Sequence, residues 1–302
     1  MAKEIIKEDL PIIKELLQTL FGNSNYTRLE RMGGLTNRTY TATIPASNVF
    51  GGGTYVIRIP GEGTEELIDR SNEKRSTELA CRIGIDAPLY YFGENGTKVT
   101  CYIAGAQTMT LSTMGSTENI YRAAHILRQL HTCGEDTGVS FEVFDMIATY
   151  EKIIRNYNIP LFDDYELIRA QIMSIKHHVD ANGTPSKVPC HNDALCENWV
   201  LDHNGRMYLI DWEYAGMNDF MWDLADVSIE ANFTPQQDTF LLEAYLDRSP
   251  TAKERERFHA NKLYLDLLWT LWGKARVPFD GDEMEAYALE RYLRLKKNIL
   301  GN

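Results

Sequence analysis

The sequence of 302 residues lacks the features that mark several common functional classes. It has no run of five or more Lys or Arg residues, and 31 basic against 43 acidic side chains give a formal net charge of −12. A net anion repels nucleic acid and anionic membranes, so we expect neither as a partner. No stretch approaches the roughly 18 apolar residues that span a bilayer, and the beginning lacks a signal-peptide pattern. We expect a cytoplasmic protein without an obligate protein partner.

Cysteine is scarce as well. The five cysteines are odd in number and lack CxxC spacing, which indicates reduced thiols rather than a disulfide framework. Cys190 and Cys196 flank His191, a combination that raises the question of zinc, but a fourth ligand at the usual spacing is missing. A Walker A string (GxxxxGKS or GxxxxGKT) is also absent, which argues against a P-loop enzyme.

The sequence does contain a small β-rich half followed by a larger helical half. Three predicted strands, one charged helix and two further strands occupy residues 26–103. Helical spacing then dominates to the end, with one hairpin over residues 198–210. We place two domains at 1–105 and 106–302, in agreement with a length above the usual single-core limit. This order is the layout of the protein-kinase-like fold, an α+β class with a five-stranded antiparallel amino-terminal lobe and a mainly helical carboxy-terminal lobe.

The segment from His191 to Asn198, followed by Ile210-Asp211, carries the residue types that phosphoryl transfer from ATP requires. Asp193 can orient an acceptor hydroxyl and accept its proton, while Asn198 and Asp211 offer oxygen ligands for Mg²⁺. We assign His191 to bracing this loop rather than to the role of base. The spacing H-x-D-x-x-x-x-N matches the kinase template, with Asn replacing its Arg and Asp-Trp-Glu replacing its Asp-Phe-Gly. The alternative is that Asp193 and Asn198 are ordinary loop residues and Asp211 is a helix N-cap.

The nucleotide side is predicted from the first half of the chain. Glycines between the first two strands let the backbone approach phosphates, although a plain hairpin turn is the alternative. Arg58 offers a forked cation for phosphate oxygens, and Glu73 can pair with it unless both are solvated surface charges. The predicted nucleotide-binding set consists of Gly34, Leu35, Thr36, Asn37, Arg58, Glu73 and Ile103.

The segment after Asp211 departs from protein kinases. No activation loop and no Ala-Pro-Glu anchor are visible, and a predicted helix begins almost at once, at Phe220. A peptide-docking apparatus is therefore not expected. This favours a small-molecule acceptor.

On these residues the sequence resembles the choline/ethanolamine kinase family over most of its length, and is similar to its bacterial choline kinases in particular. The specific part is the run from Ile210 to Asn218, Ile-Asp-Trp-Glu-Tyr-Ala-Gly-Met-Asn, continuing to Asp223 and Glu230. The resemblance implies Mg²⁺-dependent phosphorylation of choline by ATP, with Asp193 as base and Asn198 and Asp211 as metal ligands. The substrate set that it implies is Asp193, Glu213, Glu230, Trp269 and Trp272.

The implied acceptor pocket agrees with the chemistry of choline. A quaternary ammonium has no N–H to donate, so aromatic faces bind it through cation–π attraction, aided by a carboxylate. Trp269 and Trp272 are three residues apart and share a helix face; a core stripe is the alternative, and Tyr287 and Tyr292 are further aromatic candidates. Ethanolamine, thiamine and aminoglycosides stay open as acceptors. An inactive kinase-fold module that only binds nucleotide is the non-enzymatic alternative.

Overall fold

The computed structural model of the chain describes residues 4–32, 37–46, 52–61 and 68–300. The helices in these ranges are α1 (Asp9–Phe21), α2 (Arg70–Arg82), α3 (Leu111–Met114), α4 (Thr117–His131), α5 (Val143–Asn156), α6 (Tyr165–Ala181), α7 (Phe220–Glu230), α8 (Pro235–Leu246), α9 (Ala252–Asp280) and α10 (Asp282–Leu300). The strands are β1 (Arg28–Arg31), β2 (Arg38–Ile44), β3 (Gly53–Ile59), β4 (Leu89–Phe92), β5 (Lys98–Cys101), β6 (Gln107–Thr108), β7 (Val188–Cys190), β8 (Trp199–Leu201), β9 (Met207–Leu209) and β10 (Gly216–Asn218).

The chain forms two compact units, and each is discontinuous in sequence. The first unit comprises Met1–Met109 and Glu197–Ala215, and the second comprises Thr110–Cys196 and Gly216–Asn302. This division differs from the predicted single boundary at residue 105. The reason is strand pairing: β8 pairs with β6 and β9, so the hairpin joins the unit that contains β6. A two-residue strand such as β6 is too short to show any periodicity in the sequence.

The first unit contains the predicted five-stranded antiparallel sheet, in the order β1-β2-β3-β5-β4. Strands β2 and β3 pair in full register from Arg38↔Ile59 to Ile44↔Gly53. Alternate residues of both strands point to one face, as period-2 patterning requires. That face packs against Ile13, Leu17 and Phe21, which lie on one side of α1 at four-residue steps. The amphipathic α1 thus closes one side of the sheet.

The sequence pattern predicts the charged helix over residues 64–83, and in the structure this helix, α2, begins at Arg70. The side chain of Asp69 accepts hydrogen bonds from the backbone N–H groups of Ser71 and Asn72, at 2.9 and 3.1 Å, and so fixes the helix N-terminus. Residues 62–67 lie outside the described part of the chain. At the other end the chain leaves the helix through Gly84, whose φ of +77° suits glycine. The helix is short, but its N-cap places Glu73 in the first turn.

The second unit is built around α9, which packs against α5, α6, α7 and α10. A capping box of Thr251 and Glu254 starts this helix. Its middle, from Leu263 to Arg276, is buried on all sides, which is typical of a helix at the centre of a core. The unit also contains a two-stranded ribbon of β7 and β10 that the sequence did not predict. Pro189 inside β7 hides this strand, because proline is depleted in strands.

Among the described residues, no helix combines the length and the apolar character needed to cross a membrane.

Candidate active site

The backbone of the loop formed by residues 191–194 is bound by two carboxylates of α7, both in the second unit. Asp223 is fully buried and accepts from the backbone N–H of His191 at 2.7 Å and of Asn192 at 2.8 Å. Its Oδ2 atom also lies 3.0 Å from Nε2 of His131. Charge-assisted hydrogen bonds of this kind are stronger than neutral ones. Asp223 therefore fixes the first half of the loop.

The second carboxylate, Asp226, lies about one turn further along α7. Its Oδ2 accepts from the backbone N–H of Ala194, the residue that follows Asp193. Its Oδ1 has no hydrogen-bond partner among the described residues, although the side chain is only 1% exposed. Burial raises the pKa of Asp226 well above its ordinary value, and the nearby carboxylates of Asp193 and Glu230 add to this rise. The loop is thus held on both sides of Asp193.

Asn192 adopts a left-handed conformation with φ of +67°, which asparagine tolerates better than most residues. Its side-chain oxygen accepts from Nδ2 of Asn218 at 2.9 Å, and its carbonyl accepts from Nε1 of Trp222 at 3.2 Å. Asn192 replaces the arginine of the kinase template. Its contacts show that this position stabilises the loop conformation.

Asp193 itself is only partly buried. Its backbone N–H donates to Nδ1 of the buried His191 at 3.3 Å, a contact that supports the predicted bracing role of that histidine. The Asp193 carboxylate adds to the rise in the pKa of Tyr150, which is caused first by burial. Asp193 therefore combines a rigid backbone with a carboxylate that is accessible in part.

Three aromatic rings of the second unit form a contiguous cluster. The rings of Trp269 and Trp272 meet edge to face with centroids 6.0 Å apart, and Trp272 meets Tyr287 edge to face at 5.5 Å. The Nε1 atom of Trp272 has no hydrogen-bond partner among the described residues. The carboxylates of Glu230, Asp193 and Asp226 all raise the pKa of Tyr287, after burial and against the effect of Arg291. Tyr287 therefore lies within electrostatic range of Asp193.

In the first unit, Arg58 is buried at the centre of an ion-pair network. Its guanidinium pairs with Glu73, with Oδ1 of Asp211 at 2.8 Å and with Oε1 of Glu213 at 3.2 Å. Burial opposes its charge, but these three carboxylates outweigh burial and raise the pKa of Arg58. Arg58 and Glu73 are 5% and 0% exposed, so the alternative that they are solvated surface charges is wrong.

Arg70 is a second cation of the network that the sequence reasoning missed. Its Nη1 lies 2.7 Å from Glu73 and 2.6 Å from Glu213. The spacing of three between Arg70 and Glu73 on a helix could have revealed one of these pairs. The pair with Glu213, 143 residues away, had no local signal.

The hairpin of β8 and β9 brings the backbone of Asn198 next to that of Ile210, the residue before Asp211. Trp199 pairs with Leu209, and one step beyond this pair the backbone N–H of Ile210 donates to the carbonyl of Asn198 at 2.9 Å. Asp211 follows directly, with φ of +68°. The Asn198 side chain is buried, whereas that of Asp211 is 35% exposed.

The first unit also offers oxygen ligands of the kind that Mg²⁺ prefers. Carboxylate oxygens of Glu73, Asp211 and Glu213 lie within 4.8 Å of one another. Burial raises the pKa of Glu213, and the charge of Asp211 raises it further. Glu73 and Glu213 are buried and pair with Arg58 and Arg70. Asp211, 35% exposed, is the carboxylate of the three whose chemistry and exposure fit the predicted metal.

Other predicted positions are distributed as follows. Gly34, Leu35 and Thr36 lie outside the described residues. Asn37 is buried at the start of β2, and its side-chain oxygen has no partner within the described chain. Ile103 is half-buried in the segment after β5, where its carbonyl accepts from the backbone N–H of Ala106 at 3.0 Å. Their role in nucleotide binding stays a prediction.

The thiols next to the 191–194 loop have backbone partners. Sγ of Cys190 donates to the carbonyl of Asn218 at 3.6 Å, and Sγ of Cys196 to that of Glu230 at 3.8 Å. The ring of His191, between them in sequence, accepts from Asp193. These three side chains thus serve local packing of the loop.

A buried carboxylate beneath the hairpin gives a pH-dependent prediction. Asp86 accepts from Nε1 of Trp212 at 3.0 Å, and burial raises its pKa from 3.8 to about 6. Between these values only the unfolded chain loses the proton, so stability falls as pH rises from about 4 to about 6. We expect the stability of Asp86→Asn relative to wild type to increase by on the order of 3 kcal/mol between about pH 4 and pH 7. Urea unfolding of both proteins across this range measures the difference, and a flat difference would contradict the assignment.

A buried Arg–Glu pair beneath an antiparallel five-stranded sheet, a hairpin that ends in Ile-Asp, and a rigidly held H-x-D loop on a helical unit together define a phosphotransferase of the protein-kinase-like fold. Comparison with known proteins gives the family. The family model described as choline/ethanolamine kinase matches residues 29–275. The chain belongs to the choline/ethanolamine kinase family and is a kinase that acts on an alcohol group.

Solved structures and a curated relative agree with this placement. The chain is similar to the choline kinase LicA from Streptococcus pneumoniae, with 32% identity, a TM-score of 0.84 and coverage of 98% of this chain and 100% of that one. It is also similar to a choline/ethanolamine kinase family protein from Mesorhizobium loti, with 34% identity, a TM-score of 0.82 and coverage of 96% and 94%. Ethanolamine kinase 2 of Mus musculus is 26% identical over 275 residues, which are 81% of this chain and 70% of that protein.

Proposed function

We propose that the protein transfers the terminal phosphoryl group of ATP to the hydroxyl of choline and so forms phosphocholine. The observation that carries this proposal is the cluster of Trp269, Trp272 and Tyr287, whose tyrosine lies within electrostatic range of the Asp193 carboxylate. Aromatic faces bind a quaternary ammonium without any hydrogen bond. A short acceptor such as choline keeps its hydroxyl within a few ångströms of its cation.

The proposed base is Asp193. Its carboxylate would accept a hydrogen bond from the choline hydroxyl, orient the oxygen toward the phosphorus and take the proton as the P–O bond forms. The main contribution that this reaction needs from a protein is to hold the reacting groups in a fixed position. The hydrogen bonds from the loop backbone to Asp223 and Asp226 supply it, because they fix the residues on both sides of Asp193.

The proposed metal ligands are Asn198, which comes directly before the hairpin strand β8, and Asp211, which follows Ile210 after β9. Mg²⁺, when bound, neutralises the charge that develops on the phosphate oxygens. Arg58 would contribute positive charge on the nucleotide side, and Glu73 holds the guanidinium in place. Nucleotide binding by Asn37 and Ile103, like the cytoplasmic location, stays a prediction.

Ethanolamine is the second candidate acceptor, favoured by the likeness to ethanolamine kinase 2. The two acceptors differ only at nitrogen: three methyl groups in choline, three N–H donors in ethanolamine. The alternative of an inactive kinase-fold module that only binds nucleotide is disfavoured, because Asp193, Asn198 and Asp211 are all present.

A coupled ADP-release assay with Mg-ATP tests the proposal against choline, ethanolamine, thiamine and kanamycin. We expect turnover with choline to exceed turnover with each of the other three. Turnover with ethanolamine alone would keep the kinase chemistry and overturn the choice of acceptor. No turnover with any of the four would support the non-enzymatic alternative.

Replacing Trp272 by alanine tests the aromatic cluster. We expect the KM for choline to rise by about tenfold or more, since a desolvated cation–π contact contributes on the order of 2 kcal/mol. The KM for ATP should change little. The matched control is Trp272→Phe, which keeps an aromatic face and should retain most of the choline affinity. Equal increases in both KM values would show that Trp272 serves the core.

A further inference from the structure

The aromatic cluster already contains a cation that belongs to the protein. Cζ of Arg291 lies 3.7 Å from the ring centroid of Tyr287, which is stacking distance for a guanidinium. Tyr287 and Arg291 are four residues apart on α10 and therefore share a helix face. The Arg291 side chain is 11% exposed, so this contact is largely shielded from water.

The same guanidinium also pairs with Glu230, the carboxylate that the family resemblance implies for the substrate pocket. Nη2 of Arg291 lies 2.7 Å from Oε2 of Glu230. The other oxygen, Oε1, lies 3.1 Å from Nη2 of Arg294, which also pairs with Asp266 at 2.7 Å. Two carboxylates thus face two guanidinium groups, and the charge of Glu230 is balanced inside the protein.

This balance has different consequences for the two candidate acceptors. A primary ammonium leaves water only if new acceptors replace its three lost hydrogen bonds. Each oxygen of Glu230 already accepts from an arginine, so the carboxylate has fewer acceptor sites and less uncompensated charge to offer a primary ammonium. A quaternary ammonium has no such requirement and gains from the aromatic faces alone. With Glu230 paired to arginine, the loss of hydrogen bonds to water therefore weakens the binding of choline less than the binding of ethanolamine.

We propose that Arg291 is a specificity-determining residue: by occupying Glu230 and one face of Tyr287, it makes the acceptor pocket select quaternary over primary ammonium alcohols. This inference rests on the proposed function. Glu230 then acts as the partner of Arg291 rather than as the direct counter-ion of the substrate. The role assigned to Glu230 from the sequence is refined accordingly.

The test is the ratio of kcat/KM for choline to kcat/KM for ethanolamine. We expect Arg291→Met to lower this ratio by about tenfold or more, because it frees a carboxylate oxygen that can accept from an ammonium. The double variant Glu230→Gln with Arg291→Met removes that carboxylate as well, so its ratio should return close to the wild-type value. Arg291→Lys, which keeps the charge without the planar fork, should lower the ratio by less. Arg248→Met, in an exposed pair with Glu254, is the matched control and should leave the ratio unchanged.

A merely structural role would lower both values of kcat/KM together and leave the ratio unmoved, which would overturn the inference. An equal shift in the single and double variants would also overturn it, because the freed Glu230 would then have no part in the effect. If Arg291→Met does not fold, the selectivity of the pocket is measured on the wild type by inhibition of choline turnover with simple ammonium salts. Tetramethylammonium should inhibit choline turnover at a concentration at least about tenfold below that of methylammonium, and equal inhibition by the two salts would overturn the inference. Wild type without choline turnover would overturn the proposed function first, so the two failures are distinguishable.

Discussion

Replacing Asp193 by alanine is expected to lower kcat by about 10²- to 10⁴-fold and to leave the Kd for Mg-ATP nearly unchanged. The carboxylate is partly exposed, and the hydrogen bonds that hold its loop are made by neighbouring backbone groups. The variant therefore loses the proposed base and keeps the loop. Turnover by ADP release and nucleotide binding by calorimetry measure the two quantities.

The matched control for this substitution is Asp180→Ala, which removes an exposed helical carboxylate that pairs with Lys176 on its own helix. Its kcat should equal that of the wild type. If Asp193→Ala retained more than about a tenth of the wild-type kcat, the assignment of the base would be wrong.

Replacing Asp223 by alanine is expected to lower both the free energy of unfolding and kcat. The side chain accepts from two backbone N–H groups and contacts His131, and each buried donor left unpaired costs about 1–3 kcal/mol. We expect a loss of about 3 kcal/mol or more, a large part of the 5–15 kcal/mol typical of a domain. Urea unfolding measures this loss, and ADP release measures kcat.

The two aspartates are thus predicted to differ in kind. Asp193→Ala should remove activity at wild-type stability, whereas Asp223→Ala should reduce both, because Asp223 acts through the loop that it holds. An Asp223→Ala variant with wild-type stability would show that other contacts fix the 191–194 loop. The exposed control Asp180→Ala should leave both quantities unchanged, since surface substitutions usually have small effects.

Local patterns allowed the sequence to predict much of the fold and the loop chemistry. The hairpin that joins Asn198 to Asp211 was predictable, because two short apolar runs flank a turn with Asn-Gly. The pairing of Arg58 with Glu73 was one of two alternatives that the sequence left open, and the burial of both side chains decides for it. The predicted five-stranded sheet is confirmed. It was predictable because its strands are short runs rich in β-branched and aromatic residues.

The parts that the sequence could not give depend on contacts between distant residues. Arg70 reaches Glu213 across 143 positions, and Arg291 reaches Glu230 across 61. Nothing in the neighbourhood of Glu230 indicates that a guanidinium neutralises it. Asp226 is a similar case. Its role is to accept a hydrogen bond from Ala194, and the two residues meet only when α7 packs beside the loop. Pairing across the chain, rather than local preference, decides these features.

The central claim is that the chain phosphorylates the hydroxyl of choline, and one measurement tests it most directly. Purified protein is incubated with Mg-ATP and choline, and the product is followed by phosphorus NMR, with Asp193→Asn as the blank. The account predicts a phosphocholine resonance that grows in step with ADP and is absent from the blank. ADP formation without phosphocholine, or phosphocholine formation by the Asp193→Asn variant, would contradict it.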